Sequence, residues 1–138
     1  MNQTEKTICG SLSKAFAYGL QDEHKGETTT RVFKCPGNTS IRLDDGLIFI
    51  SLYNTTIGVI SIKDRWIELN TKNYISEKIF RTNTTKSRLN MLLEICVPEA
   101  RIYQKGYRWF VGLPSSDIPF VDGYRLPLPK ELYYGVAS

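Results

Sequence analysis

The chain has 138 residues, 41% hydrophobic and 23% charged, and carries a formal charge of +4 from 18 basic and 14 acidic side chains. That length and balance suit one folded domain with its own core and exclude a disordered or low-complexity chain. Cys9, Cys35 and Cys96 are widely spaced and odd in number, His24 is the one histidine, and no apolar run nears the roughly 18 residues of a membrane span, so a disulfide framework, a metal site and a transmembrane helix are not expected.

The first predicted element is a helix over about Thr4 to Asp22, because Ile8, Leu12, Ala15, Phe16, Gly19 and Leu20 recur at helical spacing. Thr4 or Thr7 would cap its start, and Gly26 follows its end. Gly10 and Gly19 each weaken such a helix by about 1 kcal/mol against alanine. They permit close packing instead, either within one chain or against a second copy in a homodimer. The charged N-terminal residues Glu5, Lys6 and Lys14 do not read as a signal peptide. With three reduced thiols, this points to the cytoplasm.

Short β segments follow: "TTTRVFKC", broken by Pro36-Gly37; "TSIRL", ending at the hairpin signal Asp44-Asp45-Gly46; "LIFISLY"; "IGVISI"; and "RWIELN". Ile48, Ile50 and Leu52 alternate with Leu47, Phe49, Ser51 and Tyr53, which gives one aliphatic face and one mixed, partly aromatic face. Residues 70–83 read as a loop or irregular edge. A second helix is expected from about Thr85 to Cys96, with Leu89, Leu92, Leu93 and Cys96 as its buried stripe and Pro98 beyond its end. "ARIYQK", Gly106 and "YRWFVGL" predict a hairpin with Ile102, Trp109 and Val111 inward. A last turn falls at Asp122-Gly123, and Pro127 and Pro129 forbid a central strand after it. The tail would wrap its own domain or offer Tyr133 and Tyr134 to a partner.

The fold class is therefore α+β: an antiparallel β-meander packed by one helix, with an additional N-terminal helix. The chain reads as a single domain, 1–138, with an N-terminal helix-and-strand extension (1–40), a core (41–126) and a C-terminal tail (127–138).

Two stretches carry candidate binding chemistry. In "RTNTTKSRLN", from Arg81, Thr84 or Asn83 would cap the second helix, and Thr85 adds a second hydroxyl. Lys86 lies in the first turn with Arg81 and Arg88 close by, where the helix already carries about half a positive charge, so an anion docked there would reverse an unfavourable sign. The alternative is that Lys86 and Arg88 point into water or pair with a carboxylate such as Glu77. In "RIYQKGYRWF", Arg101, Lys105 and Arg108 interleave with Tyr103, Tyr107, Trp109 and Phe110, the pattern that holds single-stranded nucleic acid. An ordinary amphipathic hairpin has the same composition. Residues up to Leu69 hold eight basic and eight acidic side chains, and those from Asn70 hold ten and six, so the excess charge lies in the half with both stretches. No catalytic constellation is legible: His24 sits in a solvated "QDEHKG" segment, Asp44-Asp45 reads as a turn, and no P-loop or H-E-x-x-H occurs. No cofactor is implied.

Thr82, Thr84, Thr85, Lys86, Arg88, Leu89 and Asn90, then Ile102, Gln104, Lys105, Trp109 and Phe110, then Pro119, Phe120, Asp122 and Gly123 form an ordered set. That set resembles a small domain common in bacteriophage and plasmid genomes, with a T-x-T-T-K-x-R-L-N block, an I-x-Q-K hairpin and a P-F-x-D-G turn. The likeness spans roughly residues 45–126 and implies origin in a mobile element rather than a particular chemistry. By analogy of origin and size it suggests, as the leading expectation, a non-enzymatic accessory protein that binds a host protein or ribonucleoprotein complex, with inhibition of a CRISPR-type defence as a candidate role. The rival expectation is RNA or DNA binding through Arg81, Lys86, Arg88, Arg101, Lys105 and Arg108.

Overall fold

The computed structural model describes residues 1–130. The expectation for the tail beyond Lys130 lies outside the described residues. In chain order the elements are α1 (Gln3–Lys25), β1 (Thr30–Lys34), β2 (Thr39–Asp44), β3 (Leu47–Leu52), β4 (Thr55–Ser61), β5 (Trp66–Leu69), α2 (Asn83–Cys96), β6 (Arg101–Lys105), β7 (Arg108–Gly112), β8 (Asp117–Pro119) and β9 (Tyr124–Pro127). The fold is α+β, as the sequence patterns require.

β1 to β5 make an antiparallel meander, and β9 adds to β5 to complete a six-stranded sheet; β6, β7 and β8 form a second, three-stranded antiparallel sheet. The two late strands are the main departure from expectation. Pro127 sits opposite Trp66 on the outermost strand of the six, where a missing N–H breaks no ladder. Residues 70–82 are irregular apart from one bridge between Lys72 and Ile79, and α2 begins at Asn83, two residues before the expected Thr85. The Asn73 side chain shapes the irregular segment by accepting from the amides of Ile75 and Ser76.

The strands alternate as their sequences do. Ile41, Leu43, Ile48, Ile50, Leu52, Ile57, Ile60, Ile67 and Leu69 all point inward and are buried. α1 lies across β1, β2 and β3, α2 lies across β4 and β6, and the helices touch each other. Ile8, Leu12, Ala15 and Phe16 of α1 join Leu89, Leu92, Leu93 and Cys96 of α2 in one apolar cluster with the sheet. Each fully buried leucine or isoleucine there contributes about 1.5–3 kcal/mol. The N-terminal helix is thus part of the core rather than an addition to it.

α1 begins earlier than its apolar spacing suggests. Asn2, not Thr4 or Thr7, is the cap: its side chain accepts from the Glu5 amide while the Glu5 carboxylate reaches back to the Asn2 amide. Gly19 explains the seat of α1 on the sheet. A Cβ there would collide with Ile62 Cδ1 and lie 3.4 Å from Leu43 Cδ1, so this glycine serves packing within the chain.

Asn90 ties the two layers together. Its side-chain amide donates to the Ile102 carbonyl at 2.9 Å, and its oxygen accepts from the Ile102 amide at 2.7 Å, so one side chain substitutes for a missing strand along β6. Replacing Asn90 with Ala leaves both Ile102 groups without these bonds, at a cost of about 1–3 kcal/mol for each group that stays buried. Denaturant unfolding of Asn90→Ala should show that loss with little change in slope; a loss below about 0.5 kcal/mol would mean that water replaces the bracket.

Candidate functional site

The start of α2 is built by Thr82. Its backbone is extended (φ −98°, ψ 167°), and its hydroxyl accepts from the Thr85 amide at 3.1 Å. Thr82 is therefore the cap, in place of Thr84 or Asn83, and the Thr84 side chain is exposed. Thr85 is buried, with its hydroxyl 3.1 Å from that of Thr82. Four threonines and asparagines in a row can each cap, and only the backbone turn selects among them.

Arg88 does not face water. It is 7% exposed, and its Nη1 donates to Glu5 Oε2 at 3.2 Å, while its Nε donates to Thr39 Oγ1 at 3.2 Å. Ser87 donates to the same Glu5 oxygen at 2.6 Å. The partner is Glu5 of α1, not Glu77. One carboxylate thus gathers the start of α1, α2 and β2. Gly37 closes the site from the loop before β2: its φ is +70°, and a Cβ there would lie 2.6 Å from Arg88 Nη2 and 2.8 Å from Thr4 Cγ2. Burial pushes the Glu5 pKa up, but the hydrogen bonds from Ser87 and the Asn2 backbone and the charge of Arg88 outweigh it, and the carboxyl titrates below its ordinary range. The signal for this pair was in the spacing. Thr85, Arg88, Leu89 and Leu92 fall at i, i+3, i+4 and i+7, and Glu5, Ile8 and Leu12 at i, i+3 and i+7, so each charge sits on its helix's apolar stripe.

Arg81 is also engaged. It lies 3.5 Å from Asp122, donates to the Thr71 hydroxyl, and stands over the rings of Phe120 at 5.2 Å and Trp109 at 5.9 Å. Asp122 in turn accepts from the amide and hydroxyl of Thr71. Of the cations in this block, Lys86 is half-buried and forms no ion pair among the described residues. At the start of α2 lies an apolar pocket of about 350 Å³, lined chiefly by Leu52, Tyr53, Ile57, Phe80, Thr82 and Thr84.

The β6–β7 hairpin sorts its side chains cleanly. Ile102, Trp109 and Val111 point inward and are buried. Trp109 packs against Phe120 with ring centroids 6.1 Å apart, which takes it out of reach of a stacking base. Arg101, Tyr103 and Lys105 on β6 and Arg108 and Phe110 on β7 share the outward face, where Tyr103 and Phe110 stack at 5.5 Å with 20° between their planes. Arg101 lies 5.3 Å over the Tyr103 ring. The Tyr103 hydroxyl donates to Asp117 at 2.8 Å, a bond that raises its pKa.

At the hairpin tip Lys105 and Arg108 are directly opposite each other. Like charges so placed destabilise a hairpin by several tenths of a kcal/mol. Neither makes an ion pair among the described residues. Between them stand Gly106 and Tyr107, both in the left-handed region, and Tyr107 (φ 66°) is 98% exposed. A bulky residue at positive φ is costly, and asparagine or glycine would suit that turn better. A separate cleft has the other sign: about 500 Å³ in volume, it is lined by Asp22, Glu23, Glu27, Asp45 and Asp64, with Lys63 the one basic side chain in its wall.

Other chemistries find little to stand on. Burial raises the pKa of Cys9, Cys35 and Cys96, so none is a ready thiolate. Among the described residues no three His, Cys, Asp or Glu side chains are grouped to hold a metal ion, and no helix is long and apolar enough to cross a membrane.

Residues 23–127 match the model of the Kyanoviridae Gp96 protein family, and the chain belongs to this family of phage proteins. No curated protein and no solved structure matches it. The matched stretch contains Arg88 and both binding candidates, whereas Glu5 and most of α1 precede it.

Breaking the buried pair from one side should be costly. Arg88→Met leaves the Glu5 carboxylate buried without its counter-charge and should lower unfolding free energy by about 3–5 kcal/mol, while Glu5→Gln with Arg88→Met should recover much of it. Equal losses in the single and double variants would refute the pairing. The depressed Glu5 pKa also sets a pH dependence. Its contribution is complete above the ordinary glutamate range of about 4.3 and fades as pH falls through the lower folded value. Wild type should therefore lose stability more steeply than Glu5→Gln as pH drops below about 4.3; parallel acid limbs in thermal melts would contradict this.

Proposed function

We propose that this phage protein is a non-enzymatic accessory factor that binds single-stranded nucleic acid through the tip and outward face of the β6–β7 hairpin. One observation carries the reading: an exposed tyrosine held at a left-handed backbone position between two directly opposed cations that form no ion pair among the described residues. Strain of this kind concentrates where a side chain is presented for use. A phosphate between Lys105 and Arg108 would turn their repulsion into attraction, and Tyr107 would offer a face for an unpaired base. Arg101 and the stacked Tyr103–Phe110 pair would continue the track along the sheet. Arg88 has no part in it, since its guanidinium is spent on Glu5 and Thr39. Lys86 and Thr84 could extend the track only as a secondary contact.

A second reading has its own support. Tyr53, Tyr74, Ile75, Ile79 and Phe80 are all exposed, and Tyr53 and Phe80 wall the apolar pocket at the start of α2. Clustered apolar exposure favours a protein partner, such as a component of a host defence complex of the CRISPR type.

Fluorescence anisotropy with labelled single-stranded RNA and DNA separates the two. Lys105→Ala with Arg108→Ala should weaken binding at least about tenfold and flatten the salt dependence by roughly 1.4 in log–log slope, at about 0.7 for each phosphate left without its cation. Tyr107→Ala should cost about 1–3 kcal/mol with the salt slope unchanged. Wild-type binding that the hairpin variants leave intact would sink the first reading. A host protein captured stoichiometrically after nuclease treatment, and lost on Phe80→Ala, would establish the second.

A further inference from the structure

The six-stranded sheet is covered on one face only. Both helices pack on the side of Ile41, Ile48 and Ile50, and among the described residues no element packs on the other. An open antiparallel face is usually polar. This one is polar over most of its area, with Ser40, Asp44, Ser51 and Ser61 among its side chains, but apolar at its centre: Phe49 and Val59 lie half-buried there, Leu47 and Trp66 beside them, and Val32 is 70% exposed at the edge. Arg42 lies 4.7 Å over the Phe49 ring and Arg125 3.8 Å over that of Trp66, so two arginines partly roof the aromatic surface.

The strand registers place these groups in one straight row. Val32, Arg42, Phe49, Val59, Glu68 and Arg125 are consecutive cross-strand partners over β1, β2, β3, β4, β5 and β9. The inner four positions of the row are antisymmetric in charge about its centre, whereas its ends, Val32 and Arg125, are not. Phe49 and Val59 occupy β3 and β4; one strand further out stands a cation on β2, Arg42, and an anion on β5, Glu68.

We propose that this face packs against the same face of a second copy of the chain. A two-fold axis parallel to the strands and midway between β3 and β4 lays the row on its own reverse. Phe49 then meets Val59 of the second copy, and Arg42 meets Glu68 of the second copy, twice over. Such self-complementarity is what an isologous interface requires. A polyanion finds no equivalent fit, because Glu68 lies in the row and already holds Arg125 at 3.1 Å. The pairing is of sheet on sheet, with faces about 10 Å apart. Six strands of this length offer a footprint of roughly 24 by 18 Å, about 430 Å² per copy and below the ~800 Å² per partner of a standard interface, so the dimer is weak and transient. The dimer leaves the β6–β7 hairpin on each copy free, and it uses the sheet rather than the N-terminal helix.

Sedimentation velocity on the full chain, from about 1 to 500 µM, tests this. The weight-average mass should rise with concentration from 15.8 kDa towards twice that value. Arg42→Glu and Glu68→Arg should each weaken association at least tenfold, Val59→Lys should abolish it, and Arg42→Glu combined with Glu68→Arg should restore it. Far-UV circular dichroism on every variant confirms that the fold persists. A mass constant at 15.8 kDa across the range overturns the proposal. So does a dimer that survives the single charge reversals, or a charge-swapped double variant no better than either single.

Discussion

The buried pair of Glu5 and Arg88 is the constraint on which the arrangement depends. It costs free energy to bury two charges, and only close geometry with further hydrogen bonds repays it. Here Ser87, Thr39 and the Asn2 amide supply those bonds. The carboxylate belongs to the first turn of α1, the guanidinium to the second turn of α2, and the hydroxyl that steadies it to the first residue of β2. Interdigitated apolar contacts, such as Gly19 on Ile62 and Gly58 on Leu92, already resist sliding of the helices along the sheet. The ion pair adds fixed, directional partners, and so helps to set where each helix stops. α2 then fixes β6 through Asn90 and carries the three-stranded sheet with it.

This gives the T-x-T-T-K-x-R-L-N block a largely architectural meaning. Thr82 caps, Thr85 fills the space beneath the cap, Arg88 anchors to α1, Leu89 enters the core and Asn90 brackets β6. What first reads as a surplus of positive charge at a helix start is in part a buried structural cation. The charge left free for a partner is displaced to the hairpin that this block positions. The acidic cleft lies instead among the turns around Asp45 and Asp64, so the surface charge is unevenly distributed.

Much of this was legible in the chain. Period-two alternation named the inward residues of β2 and β3, Asp44-Asp45-Gly46 named their hairpin, and helical spacing named the stripe of α2. The hidden parts share a physical cause: they depend on which distant segment lies alongside. β9 ends in a proline, Pro127, and exists because β5 offers it an edge. Arg88 looks like surface charge until Glu5, 83 residues earlier, is seen to face it, although both charges sit on apolar stripes and could have been matched on that ground. Trp109 and Phe110 were separable by alternation; that Tyr107 would be held in a left-handed turn was not, since glycine-containing loops of different lengths place it differently.

The division between a structural block and a binding hairpin can be tested in a single measurement. Photo-crosslinking of a 4-thiouridine oligonucleotide to the wild-type protein, followed by peptide mass spectrometry, reports which side chains a bound base touches. The account predicts adducts on Tyr107, with weaker ones on Tyr103 or Phe110. Adducts confined to the start of α2, at Thr84 or Lys86, or no adducts at concentrations well above saturation, would contradict it.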